Sequence, residues 1–344
     1  MIRFNNDYNH GAHPEILKAF LETNRNSYGG YGKDEWCEKA AAEIKKYLGE
    51  VDADIHFLVG GTQTNFIVIA AALRPYQGVI CADTGHIHVH ETGAVENCGH
   101  KILALSSKDG KITANQIMEA AQDYRDSCVQ EHITCPGMVY LSFPTEYGTT
   151  YSKKELEEIH QVCKEYGMFL FVDGARMGYG LAAPDNDVSL EDLATLTDVF
   201  YLGGTKCGAM FGEALVITNP SLKKDFRSYM KQNGAMLAKG WTLGIQFYTL
   251  FHQGLYFEIT KKAVDFGMQV KKAFAEKGIP FFIESNTNQQ FVVLSKSQME
   301  RLEKDFVFEF EGKVDEEHYC VRFCTSWSTV QEEVDTLVQA VKAL

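Results

Sequence analysis

The run Phe169-Leu-Phe-Val-Asp-Gly-Ala-Arg176, answered further on by Val199-Phe-Tyr-Leu-Gly-Gly-Thr-Lys206, decides how this chain folds. Each is a short continuous apolar stretch that ends in small residues and one charged side chain. Continuous apolar runs, unlike alternating ones, suit strands buried on both faces of a mainly parallel sheet. Five more occur at Ile55–Val59, Val79–Ala82, Ile102–Leu105, Met138–Phe143 and Ala214–Thr218. Helical patterns separate them at Thr62–Leu73, Ala114–Arg125, Lys153–Tyr166 and Leu190–Leu196, and Asp34 can cap a helix over Glu35–Leu48 that stops at Gly49. This alternation predicts an α/β fold, a mainly parallel seven-stranded sheet sandwiched by helices. After Asn219 the pattern changes. Helices are expected over Leu222–Lys231, Trp241–His252 and Phe257–Glu276, strands at Gln290–Leu294, Phe306–Phe310 and Cys320–Phe323, and a closing helix over Val330–Leu344. The expected division is an N-terminal arm with the large α/β domain over residues 1–250, and a smaller α+β C-terminal domain over 251–344.

With 344 residues, 45% hydrophobic and 23% charged, the chain has the composition of a soluble globular protein. A net charge of −13 repels phosphate backbones and anionic lipid, so nucleic acid and membrane are poor partners. The nine cysteines are unclustered and form no C-x-x-C pair, as expected of reduced thiols in a cytoplasmic protein. The N-terminus shows no charged start followed by an apolar run.

In open parallel sheets, ligands sit beyond the carboxyl ends of the strands, so the residues just past each strand are the informative ones. Gly60-Gly-Thr-Gln-Thr-Asn65 comes directly after the first run. Two glycines permit a tight turn, and the helix start behind them offers free N–H groups to a phosphate, although glycine turns before helices are common. Asp173 ends a buried strand, where a carboxylate needs a positive partner. A protonated pyridine nitrogen is one candidate, and Arg176 or a helix start is another. Lys206, among small residues beyond a buried strand, reads as a nucleophilic amine with a lowered pKa or as a loop lysine. His86, His88 and His90 invite a metal reading, but no H-E-x-x-H pattern accompanies them, and the sequence predicts no metal.

Taken in order, these segments resemble the fold-type I pyridoxal-phosphate (PLP) enzymes and, more closely, the low-specificity L-threonine aldolases of the β-eliminating lyase group. The most specific pieces are Gly60-Gly-Thr-Gln-Thr-Asn65, His86 with Glu91-Thr-Gly-Ala94, Val172-Asp-Gly-Ala-Arg176 and Thr205-Lys206. The resemblance implies PLP as cofactor, with Lys206 joined to it covalently and Asp173 at its ring nitrogen. It puts Gly61 and Thr62 in the phosphate loop and His86 against the ring. Arg176 and Arg322 would grip the substrate carboxylate, with Asn6 nearby. Tyr31 would be lent across a homodimer or homotetramer interface. The expected reaction is aldol cleavage of L-threonine or L-allo-threonine to glycine and an aldehyde, with β-elimination from an amino acid as the alternative. His86 is the first candidate for the base that takes the β-hydroxyl proton, and His90 the reserve. The chain departs from the family pattern at Gly60, around Thr205-Lys206-Cys207, and in the arm, which reads Asn5-Asn6-Asp7-Tyr8.

Overall fold

The computed structural model describes residues 1–344. The seven apolar runs all become strands of one sheet. They are β1 Asp54–Leu58, β2 Gln77–Ala82, β3 Lys101–Leu105, β4 Cys135–Ser142, β5 Phe169–Asp173, β6 Val199–Gly203 and β7 Glu213–Ile217. Their order across the sheet is β1-β7-β6-β5-β4-β2-β3. The strands β2 to β6 pair in parallel, whereas β7 is antiparallel to both β6 and β1. The exception has a simple cause. A parallel partner needs a long crossover, and the chain between β6 and β7 is a short glycine-containing loop that can only turn back on itself.

Alternate residues of these strands feed two separate cores. Val139, Leu141, Leu170, Val172, Phe200 and Leu202 pack under the helices Lys153–Tyr166, Trp241–Phe251 and Leu255–Glu276. Met138, Tyr140, Phe171 and Tyr201 face the helices Gly61–Ala72 and Phe226–Gln232. With both faces covered, the strands read as unbroken apolar runs. The same alternation lines up Tyr140 and Ser142 of β4, Asp173 of β5 and Tyr201 of β6 on one face.

Four further strands form an antiparallel sheet: β8 Phe281–Ile283, β9 Gln289–Ser295, β10 Glu309–Lys313 and β11 His318–Cys324, in the order β10-β11-β9-β8. Its core joins Phe266, Phe274, Val292, Val321 and Phe323 to Val334 and Leu337 of the closing helix Gln331–Lys342. The N-terminal arm is pinned here. Ile2–Arg3 pairs in parallel with Phe306–Val307, and Phe4 is buried in this core.

Some expectations need correction. The helix expected at Leu222–Lys231 is two short helices, Pro220–Lys223 and Phe226–Gln232, broken where Asp225 adopts a left-handed backbone (φ 59°). The strand expected at Phe306–Phe310 divides, one half pairing with the arm and the other entering the small sheet as β10. A helix at Pro14–Thr23 was not expected at all. Its signal is Pro14 at the first helical position, where a missing N–H costs nothing. No helix is long and apolar enough to cross a membrane.

Candidate active site

A cavity of about 230 Å³ opens at the carboxyl ends of the parallel strands. Gly60, Gly61 and Thr62 reach it from behind β1, Asp173 and Arg176 from the end of β5, and Lys206 from behind β6. A wider cavity of about 730 Å³ continues outward, lined by Tyr8, His90, Tyr147, Glu311 and Arg322 among others. Lys206 and Asp173, read from separate strands of the sequence, therefore share one chamber.

At the first of these sites, Gly60 caps the helix Gly61–Ala72 with no side-chain bond, so the N–H groups of its first turn have no partner within the helix. A Cβ on Gly61 would stand 3.0 Å from the Tyr201 hydroxyl, a contact tight enough that the tyrosine would have to shift. Behind β5 and β6, the two turns pack backbone against backbone. A Cβ on Gly174 would lie 1.9 Å from the carbonyl oxygen of Tyr201.

Asp173 is buried and accepts from four donors. Oδ2 accepts from the Tyr140 hydroxyl at 2.5 Å and the Asn65 amide at 3.0 Å, and Oδ1 accepts from the Tyr201 hydroxyl at 2.5 Å and the Ala175 N–H at 2.9 Å. Burial opposes its ionisation. Attraction to His86 and the bonds from Tyr140, Tyr201 and Ala175 outweigh burial and hold the carboxyl below the usual carboxylate range. Tyr140 and Tyr201 escaped the sequence reading because they look like core aromatics. Their even spacing with the acid across neighbouring strands is the signal that was available.

The Lys206 amine has its pKa lowered, by burial first and by the Arg176 charge second, against the pull of Asp7, Asp173 and Glu213. Glu213 stands beside it, accepting from the Thr205 hydroxyl at 2.9 Å and the Gly204 N–H at 3.1 Å. Burial pushes this carboxyl up to about 8, against the Thr205 bond and the Lys206 charge.

His86 opens a single helical turn, His86–Val89. Its Nδ1 lies 2.8 Å from Glu91 Oε1, which also accepts from Asn65 at 2.8 Å, and Asn65 in turn meets Asp173. His90 follows one turn later, ring centroid to ring centroid 5.5 Å from His86, while His88 is exposed.

The remaining expected residues are placed less directly. Arg176 lines both chambers, but its fork is taken, with Nε 2.7 Å and Nη2 3.0 Å from the two oxygens of Asp7. The side-on edge of Arg176 is thereby taken, and its end-on edge, Nη1 with the second N–H of Nη2, is left. Arg322 bonds Glu311 through Nη1 at 3.1 Å and the Asn5 carbonyl through Nη2 at 3.2 Å. Asn6 lines neither chamber and accepts from the Tyr8 N–H at 3.0 Å. Its neighbours Asp7 and Tyr8 face inward instead. Tyr31 lies at a different cavity with Arg227, half exposed at 46%, its ring 4.6 Å from the Lys231 ammonium.

The Asp7–Arg176 pair has a stability consequence. Burial would raise the Asp7 carboxyl, but the charge and fork of Arg176, with Lys206 and the Asn288 amide, hold it below the usual range. A group whose folded pKa is depressed stabilises the fold above its unfolded pKa and loses that contribution as pH falls through the folded value. Asp7→Asn should leave a buried guanidinium without its charge partner and cost about 3–5 kcal/mol at neutral pH. Urea unfolding at neutral and acid pH checks this, and the gap from wild type should narrow in acid.

The family model described as beta-eliminating lyase matches residues 12–297. The low specificity L-threonine aldolase of Pseudomonas aeruginosa is 30% identical over 347 aligned residues, which cover 99% of this chain and 97% of that one. The solved threonine aldolase of Leishmania major is 42% identical with a TM-score of 0.97, covering 100% of this chain and 99% of the other. An aspartate aminotransferase from Thermus thermophilus, 15% identical with a TM-score of 0.72, shares the fold alone. Sequence and fold agree along the whole length: the chain belongs to the beta-eliminating lyase family.

Proposed function

We propose that this chain is a PLP-dependent carbon–carbon lyase that cleaves L-threonine or L-allo-threonine to glycine and acetaldehyde. The observation that carries the reading is one chamber holding an amine, a carboxylate and an uncapped helix start, in a chain that follows threonine aldolases from end to end. The residues fit the cofactor: the first-turn N–H groups of Gly61 and Thr62 suit its phosphate, Asp173 its ring nitrogen and Lys206 its aldehyde. When bound, PLP supplies an electron sink for the pair released at Cα of the amino acid.

The chain's own residues do the rest. Asp173, ionised at neutral pH, would favour the protonated form of the ring nitrogen. His86, held by Glu91 through Nδ1, would lie against the ring. Arg322, with the free Nη1 of Arg176, fixes the substrate carboxylate and so decides which bond of Cα is broken. Glu311 holds Nη1 of the Arg322 guanidinium, and Nε has no partner. Arg322→Lys should raise KM for threonine roughly tenfold with little change in kcat, because a point charge replaces a planar fork. Steady-state kinetics over a range of threonine concentrations checks it.

We also propose a cytoplasmic homodimer or homotetramer, in which exposed Tyr31 serves the neighbouring subunit's site. The large and small units are proposed to meet near residue 250, ahead of the helix Leu255–Glu276. The deciding experiment is incubation of the PLP-loaded protein with threonine. Glycine and acetaldehyde are expected, whereas 2-oxobutyrate and ammonia would instead identify a β-eliminating lyase.

A further inference from the structure

Four side chains border both chambers: His86, Glu146, Arg176 and Lys206. An amino acid that enters through the outer chamber and joins the inner one has its reacting atoms at this border. Lys206 is the cofactor's anchor, Arg176 spends Nε and one N–H of Nη2 on Asp7, and His86 gives Nδ1 to Glu91 and keeps Nε2.

Glu146 is different. It sits in the turn behind β4, which is closed by the Gly148 N–H on the Thr145 carbonyl at 2.9 Å and by the paired hydroxyls of Thr145 and Thr149 at 2.7 Å. Its Oε1 accepts from the Ser142 hydroxyl at 2.6 Å and from the His86 backbone N–H at 2.8 Å. Those two bonds hold Oε1, and no other side chain bonds Oε2.

We propose that Glu146 is a catalytic residue of the aldol cleavage, its Oε2 taking the β-hydroxyl proton of the substrate as the Cα–Cβ bond breaks. The O–H electron pair becomes the second bond of the aldehyde carbonyl. The Cα–Cβ pair stays with Cα, and a proton returned from the Glu146 carboxyl completes glycine, so that threonine is balanced by glycine and acetaldehyde. This assignment rests on the aldolase reading, and it moves the base from His86, expected from the sequence, to its neighbour.

The surroundings suit the role. His86 faces Glu146 from behind β2, Asp173 and Arg176 from the end of β5, and Lys206 from behind β6, while Tyr140 of β4 and Cys81 of β2 lie close enough to be affected by its charge. Burial lifts the Glu146 carboxyl above the ordinary carboxylate range against the Ser142 and backbone bonds, and the Asp173 charge adds to the lift. A base raised toward neutrality accepts a proton more readily.

The test compares the PLP-loaded wild type with E146Q, which keeps an oxygen for Ser142 and His86, and with E146D. Threonine turnover is followed against pH, and glycine binding is read from the cofactor's absorbance. In the wild type, kcat/KM should rise with pH through a limb above the ordinary carboxylate range. In E146Q, turnover should fall by at least about 100-fold and that limb should vanish, while glycine binds within about threefold of wild type. E146Q turnover within about fivefold of wild type, or an unchanged limb, overturns the assignment alone. Glycine binding lost together with turnover in both variants overturns it in favour of a structural role. A wild type that binds glycine yet cleaves no β-hydroxy amino acid removes the aldolase reading itself, and the proposal with it.

Discussion

Lys206→Ala is expected to abolish threonine cleavage, a loss of at least about a thousandfold, because the variant has no amine to hold the cofactor's aldehyde or to exchange with the substrate. The setting of the amine explains the size of the effect. It lies in the inner chamber, its proton affinity reduced by burial and by Arg176 and only partly restored by Asp7, Asp173 and Glu213. No second lysine lines either chamber. PLP should still dock through the first turn of the Gly61–Ala72 helix, so the variant should keep some cofactor while its absorbance shifts to that of the free aldehyde. An absorbance scan after dialysis, with an acetaldehyde assay on threonine, reads both. Turnover within tenfold of wild type would sink the assignment of Lys206.

Asp173→Asn carries the second largest effect. The substitution preserves shape and removes the charge, so rate and stability should separate. The rate should fall about 10²–10³-fold, the scale on which a preorganised charge at a reaction centre contributes. Stability should fall by only about 1–3 kcal/mol, because one amide N–H now confronts two of the four donors. Tyr140 and Tyr201 can turn their hydroxyls, which limits that cost, whereas the Asn65 amide and the Ala175 N–H cannot turn. Asp173 is held below the usual carboxylate range, so its charge is present at neutral pH and lost only as pH falls through that lowered value. No limb above the ordinary carboxylate range should therefore come from Asp173, which separates it from Glu146. Turnover with threonine and thermal unfolding, measured on one preparation, decide the matter. A normal rate with a lowered Tm would make Asp173 a structural residue.

Much of the fold could be read before any coordinates. Phe169–Asp173, Lys153–Tyr166 and Leu190–Leu196 begin and end where the apolar periodicity places them. Ser152 and Ser189 start the two helices, each accepting from the third residue on while that residue's carboxylate answers. Where the reading failed, a tertiary demand had overridden the local pattern. Leu222–Lys231 is periodic enough for one helix, with Leu222, Phe226 and Met230 on one face against the core under β1 and β7, yet the left-handed backbone at Asp225 divides it. Phe306–Phe310 is apolar enough for one strand, yet two different partners divide it.

The sequence alone determined the α/β architecture and brought Gly61, Thr62, His86, Asp173 and Lys206 to strand ends, because hydrophobic period and turn chemistry are properties of neighbouring residues. Only the tertiary structure decided what those groups touch. Asp7 holds Arg176 from 169 positions away, Tyr201 reaches Asp173 through strand register, and Glu146 comes to the border of the two chambers. Such contacts depend on the distance between segments that no local pattern couples, and that distance is set only when the sheet, the arm and the small antiparallel sheet have packed together.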